Sequence, residues 1–144
     1  MTKLLVAVTD SPFPNLDPAT QVLSELNAEL KLAKGTTPED ILAIAREADG
    51  LLVTYAKVPS QLIEQLKRCK VIARFGIGVD SVDIDAATRA GIMVTNVPEY
   101  CEDEVSDHAM ALLLSLIRKI PYANKKTHAG VWSMPAVVPI HRLR

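Results

Sequence analysis

The sequence predicts an α/β fold, an open parallel sheet with helices on both faces that ends in a long helix. Two observations carry this. Short apolar runs alternate with segments of helical spacing along the chain. Several runs, such as Leu4-Leu5-Val6-Ala7-Val8 and Val71-Ile72-Ala73, are continuously apolar, as strands covered on both faces are.

Residues 3–8 form the first strand, and Pro12 and Pro14 mark the loop after it. Asp17-Pro18 reads as an N-cap followed by proline at the first helical position, with Leu23, Leu26 and Leu30 at helical spacing. Residues 29–33 form the second strand, ended by Gly35. Thr37 caps the next helix, whose Ile41, Leu42 and Ala45 share a face. Asp49-Gly50 turns into a third strand over 51–55, and residues 60–68 read as helix. Strands follow at 71–74 and 92–96, with a helix over 84–90 between them that Gly91 closes. A long helix runs from Glu102 to about Ile120. The expected divisions are a sheet domain at 1–100, a long-helix region at 101–131 and a linker at 132–144.

The chain has 144 residues, 49% of them hydrophobic, enough for one domain with a core. Its 16 basic and 17 acidic residues form no basic block, which argues against nucleic acid or an anionic membrane as partner. No apolar run reaches bilayer length, and MTKLLVAVTD is too short in apolar residues for a signal peptide. Cys69 and Cys101 lie far apart with no CxxC, so neither a disulfide framework nor a zinc site is expected. These features point to a cytoplasmic protein with reduced thiols.

Chemistry concentrates in ARFGIGVDSVD, residues 73–83. The dinucleotide fingerprint G-x-G-x-x-G needs a third glycine where Ser81 stands, and the acidic residue about 20 positions on is missing. A second use of the same backbone fits better. Two glycines let the chain turn sharply at the carboxyl end of a parallel strand, and the N–H groups of Ile77, Gly78 and Val79 would then cradle a carboxylate. A tight strand-to-helix turn with no ligand explains the residues equally well.

The run from Val71 to Ile120 resembles the D-isomer-specific 2-hydroxyacid dehydrogenase family. The matching residues are Arg74-Phe-Gly-Ile-Gly-Val-Asp80, Val82-Asp83, Ala86-Ala87, Gly91-Ile92, Val94, Asn96-Val-Pro98 and Val105-Ser-Asp-His108. Gly50-Leu-Leu-Val-Thr-Tyr-Ala-Lys57 is similar to the strand that precedes them in the family. The resemblance implies a flavodoxin-like substrate domain that holds the carboxylate of a 2-hydroxy or 2-oxo acid at Gly76 to Val79. It also implies that NAD is bound mainly by a separate Rossmann domain, whose glycines would lie beyond Arg144. No residue here aligns with the family's catalytic arginine, glutamate and histidine, so the chain alone is expected to be inactive.

Other residues are weighed beside these. The resemblance puts Val97 and Pro98 near the nicotinamide and turns Val105 toward that cleft, whereas strand-exit stiffening alone explains the proline. Tyr55 and Lys57 follow a strand and either line the substrate cleft or form a surface loop. Arg74 is expected to pair with Asp80 or Asp83. Asp107 and His108 face different directions on a helix and make no dyad. His128 and His141 are expected at the surface, and Trp132 is expected to anchor the crossover to a second domain. The long helix is apolar nearly all round, which calls for cover and predicts a homo-oligomer.

The leading function is therefore the substrate-domain portion of an NAD-dependent oxidoreductase acting on D-2-hydroxy acids. The rivals are a non-catalytic binding module of the corepressor kind within the same family, and a stand-alone flavodoxin-like regulatory domain.

Overall fold

The computed structural model describes residues 3–133 and 138–140. The chain divides into two compact units, Met1–Tyr100 and Cys101–Arg144.

The first unit is a five-stranded sheet of β1 (Leu4–Val8), β2 (Ala28–Leu32), β3 (Gly50–Val53), β4 (Val71–Arg74) and β5 (Met93–Thr95). The order is β2-β1-β3-β4-β5 and every pairing is parallel. The linking helices are α1 (Asp17–Ser24), α2 (Pro38–Ala45), α3 (Ser60–Ile63) and α4 (Ile84–Arg89). The step from β1 to β2 runs opposite to the later steps across the sheet. With right-handed crossovers, α1 therefore lies on one face and α2, α3 and α4 on the other.

Register shows where the core sits. Ala7, Leu51, Ile72 and Val94 are partnered in one row across β1, β3, β4 and β5, so their side chains share a face. They pack with Ile41 and Ala45 of α2, Leu62 and Ile63 of α3, and Ala86 and Ala87 of α4. The α1 face is thinner. No α1 residue is buried, and Leu32 and Met93 are exposed.

Two helix starts follow directly from side-chain chemistry. Thr37 Oγ1 accepts the Asp40 N–H at 3.2 Å, and Asp83 Oδ1 accepts the Ala86 N–H at 2.9 Å. α1 differs from expectation. Leu16 is its N-cap, Asp17 is its first helical residue, and Asn15 Oδ1 accepts the Asp17 N–H at 3.1 Å. The chain leaves this helix early, because Asn27 is left-handed and Leu30 belongs to β2. α3 stops at Ile63, short of the expected 68. Beyond it the N–H groups of Gln65 and Leu66 reach back only three residues, to Leu62 and Ile63, which tightens and ends the turn.

In the second unit the expected long helix is α5 (Glu102–Ile117), three residues short of its expected end, and a further helix, α6 (Ile120–His128), follows it. Pro121 explains the break. In a continuous helix its ring would meet the carbonyl of Ile117, and it has no N–H to donate. Lys119 adopts a left-handed conformation at the junction, with φ of 54°. No α5 residue is buried, and Leu112, Leu113, Leu114 and Leu116 are all exposed. Among the described residues, no helix is long and apolar enough to cross a membrane. Trp132 is exposed in this chain. Much of the expected 132–144 linker, including His141, lies outside the described residues.

Candidate functional site

Parallel strands bring their carboxyl ends to one rim of the sheet. The strand order reverses at β1, which opens a crevice between β1 and β3, where open α/β sheets bind ligands. Asp10 follows β1 and Thr54 follows β3, so both lie in that crevice. The Asp10 carboxylate accepts three consecutive backbone N–H groups, from Thr54 at 3.1 Å, Tyr55 at 2.7 Å and Ala56 at 3.2 Å. Thr9 Oγ1 donates to it at 2.6 Å, and Thr54 Oγ1 donates to the Asp10 carbonyl at 3.1 Å. Burial alone would raise the carboxyl's pKa, but the bonds from Thr9 and from the N–H groups of Tyr55, Thr54 and Ala56 hold it below the ordinary carboxylate value. Sequence reasoning missed Asp10. The available signal was an acidic residue just beyond the end of a largely buried parallel strand.

The glycine loop follows β4. Phe75 N–H donates to the Val53 carbonyl at 2.8 Å, and Gly76 N–H folds back to the Arg74 carbonyl at 2.9 Å. Gly76 has φ of 152°, and a Cβ there would overlap the Arg74 guanidinium. The next three N–H groups, of Ile77, Gly78 and Val79, have no hydrogen-bond partner among the described residues. The loop is held through its carbonyls instead. Val97 N–H donates to Gly76 at 3.0 Å, Asn96 Nδ2 to Ile77 at 2.8 Å, and Val82 N–H to Val79 at 2.9 Å.

Arg74 does not pair with Asp80 or Asp83. Its Nη1 donates to the Phe75 carbonyl at 3.2 Å, its Nε is buried without a partner among the described residues, and Asp83 caps α4 instead. Tyr55, Gly76 and Val97 line one cleft of about 370 Å³ together with Phe13, Phe75 and Tyr100. Tyr55 and Gly78 also line a smaller pocket of about 200 Å³ with Lys57, Arg74 and Asp80. Ile77 is exposed, Val79 is half-buried and Pro98 is exposed at the end of the same rim. Val105 and His108 are exposed on α5, in the second unit.

The glycine loop does not fit a dinucleotide cradle. That cradle runs from strand into helix N-terminus with a third glycine for close packing. Here Ser81 takes that place, and Val82 bridges Val58 before α4 begins. Among the described residues there is also no cluster of side chains able to hold a metal ion.

The family model for the D-isomer specific 2-hydroxyacid dehydrogenase catalytic domain matches residues 6–135. The chain belongs to this family. Within it, the D-3-phosphoglycerate dehydrogenase of Methanocaldococcus jannaschii is 38% identical over 133 residues, covering 92% of this chain and 24% of that protein. The enzyme of the same name from Sus scrofa is 33% identical over 129 residues, covering 88% of this chain and 24% of that one. Among solved structures, the NADPH-dependent glyoxylate/hydroxypyruvate reductase of Sinorhizobium meliloti, in complex with NADP and malonate, superposes with a TM-score of 0.75 at 28% identity. That match covers 99% of this chain and 43% of the reductase. The chain thus spans about a quarter of the length of the curated dehydrogenases it matches.

Proposed function

We propose that this chain is the substrate-binding portion of an NAD-dependent oxidoreductase that interconverts D-2-hydroxy acids and 2-oxo acids. The observation that carries the reading is the run of three N–H groups, Ile77, Gly78 and Val79, without a hydrogen-bond partner among the described residues at the carboxyl end of β4. Successive backbone amides in a turn form an anion site. A substrate carboxylate bound there would fix the 2-carbon at the rim of the sheet. Asp10 would keep the facing Tyr55 loop in place by holding its amides. Val97 hydrogen-bonds the same glycine loop and would, with Pro98, border the nicotinamide side.

Among the described residues there is no dinucleotide cradle and no acid–base pair for the carbonyl. Both tasks are assigned to a nucleotide-binding domain outside these 144 residues, and the chain by itself would be inactive. Cys69 and Cys101 are both free thiols, which supports a reducing, cytoplasmic setting. The uncovered apolar side chains of α5 support a homo-oligomer.

The test is to assay the full-length protein that carries this chain for NADH or NADPH oxidation with a panel of 2-oxo acids. Turnover that yields only the D-hydroxy acid is expected. A protein that oxidises neither cofactor with any 2-oxo acid, yet captures partner peptides, would replace this reading with the binding-module one.

A further inference from the structure

We propose that Asn96 is a positioning residue for the anion site of the glycine loop: its side-chain amide holds the Ile77 carbonyl and so aims the Gly78 N–H at the substrate carboxylate. This rests on the function proposed above and adds a residue to its site.

A peptide unit is planar and trans, so its C=O and the N–H of the next residue point in opposite directions. Whatever holds the carbonyl of one residue therefore sets where the following N–H points. Two peptides of the glycine loop are held in this way from one short segment. Val97 N–H donates to the Gly76 carbonyl at 3.0 Å, which turns the Ile77 N–H away from that segment. Asn96 Nδ2 donates to the Ile77 carbonyl at 2.8 Å, which does the same for the Gly78 N–H. The sheet brings the segment there. Ala73 of β4 pairs with Thr95, the last residue of β5, so Asn96 and Val97 leave the sheet beside the chain that leaves β4.

The two bonds differ in what they ask of the sequence. The Val97 donor is main chain, and any residue but proline supplies it. The Asn96 donor is a side chain, so here the identity of the residue matters. Asparagine carries an NH₂ on a short stem, whereas an ionised aspartate would face the carbonyl with a second acceptor. The peptide that Asn96 holds is also free to turn once released. Its nitrogen belongs to Gly78, and a glycine lets the peptide before it rotate with no Cβ in the way. Turned over, that peptide would present its oxygen in place of its N–H and repel a carboxylate. Gly78 itself lines the cleft of about 200 Å³ with Tyr55, Lys57 and Arg74, so the aim of its N–H bears on what that cleft binds.

The test uses the full-length protein that carries this chain, with saturating NADH or NADPH and the 2-oxo acid it turns over fastest. Asn96→Ala and Asn96→Leu remove the donor, and Asn96→Gln keeps it on a longer stem. Asn96 is exposed, so none of these changes empties the core. A carboxylate keeps its charge throughout hydride transfer. Its anchor therefore binds substrate and transition state alike, and losing the anchor raises KM while sparing kcat. Asn96→Ala and Asn96→Leu should raise KM about tenfold or more, the scale of a lost hydrogen bond to a charged group. Their kcat and Tm should stay close to those of the unaltered protein, and Asn96→Gln should recover part of the KM loss. An unchanged KM in the alanine and leucine variants would overturn the role of Asn96 while leaving reduction of 2-oxo acids standing. So would a joint fall in Tm and kcat that Asn96→Gln does not relieve, which is what a merely structural bond would give. An unaltered protein that reduces no 2-oxo acid would overturn both readings.

Discussion

The carboxylate of Asp10 accepts the backbone N–H of Tyr55 at 2.7 Å, tying the end of β1 to the loop after β3. Its other oxygen takes the N–H groups on either side, from Thr54 and Ala56. One side chain thus fixes the conformation of a whole loop at the reversal point of the sheet.

Asp10→Asn tests that clasp. The amide presents an NH₂ to at least one of three N–H donors, so one charge-assisted bond is replaced by a donor–donor contact. A loss of about 2 kcal/mol is expected, seen as a fall in Tm of about 4–8 °C per kcal/mol for a domain of this size. In the full-length protein, KM for the 2-oxo acid should rise more than kcat falls, because the residue positions the loop. An unchanged Tm would show that the bonds contribute nothing net.

Acid should act through two carboxylates. Asp10 is held low by its N–H donors, against its burial, and Asp49 is held low by the Leu5 N–H and the Arg68 guanidinium. A folded-state pKa below the unfolded value of about 3.9 gives stability that is full above that value and is lost as pH falls through the folded one. Urea midpoints should therefore stay flat from neutral pH down to about pH 4 and drop below it. Asp10→Asn with Asp49→Asn should flatten the acid arm. A decline that begins above pH 5 would point to other groups.

Gly76→Ala should be strongly destabilising for two separable reasons. Its φ of 152° is one that side chains rarely adopt, and the new Cβ meets the Arg74 guanidinium. Backbone strain of this kind costs about 1–3 kcal/mol. In an Arg74→Ala background the clash is relieved but the strain remains, so the glycine change should cost less without becoming neutral. A double-mutant cycle read by denaturant unfolding gives the coupling. Strict additivity would show that the guanidinium moves aside freely.

The 144-residue chain should self-associate. Leu112 and Leu116 lie four residues apart on α5 and are 60% and 74% exposed, part of an apolar surface that has nothing over it. Light scattering at rising concentration should show dimers or larger species, and Leu112→Glu with Leu116→Lys should restore a monomer. A monomeric mass at high concentration for the unaltered chain would contradict this.

Local chemistry made much of the fold legible. β4 has the expected bounds, Thr37 caps α2 as its position suggests, and alternating strands and helices announce the parallel sheet. The misses lie where distant contacts or short-range competition decide. Asp10 meets partners 44 to 46 residues away, a pairing no local pattern encodes. α3 ends where three-residue turns displace helical bonds, and α6, in the largely polar run after Pro121, carries no clear apolar period. At the candidate site the glycines drew attention because their spacing is rare. Phe13 did not, because a phenylalanine between two prolines looks like any loop until β4 places Phe75 beside it.

The unclaimed donors at 77–79 belong to the main chain, which sets how this loop can vary over time. Ile77 and Val79 can exchange for many other side chains without altering the chemistry their amides offer. Substitution scans would read both positions as permissive even where the backbone is indispensable. Proline, which deletes the donor itself, is the one natural residue that would expose the dependence. Drift at these positions is therefore a poor guide to their importance, and replacing an amide by an ester through chemical synthesis is the direct way to weigh each one.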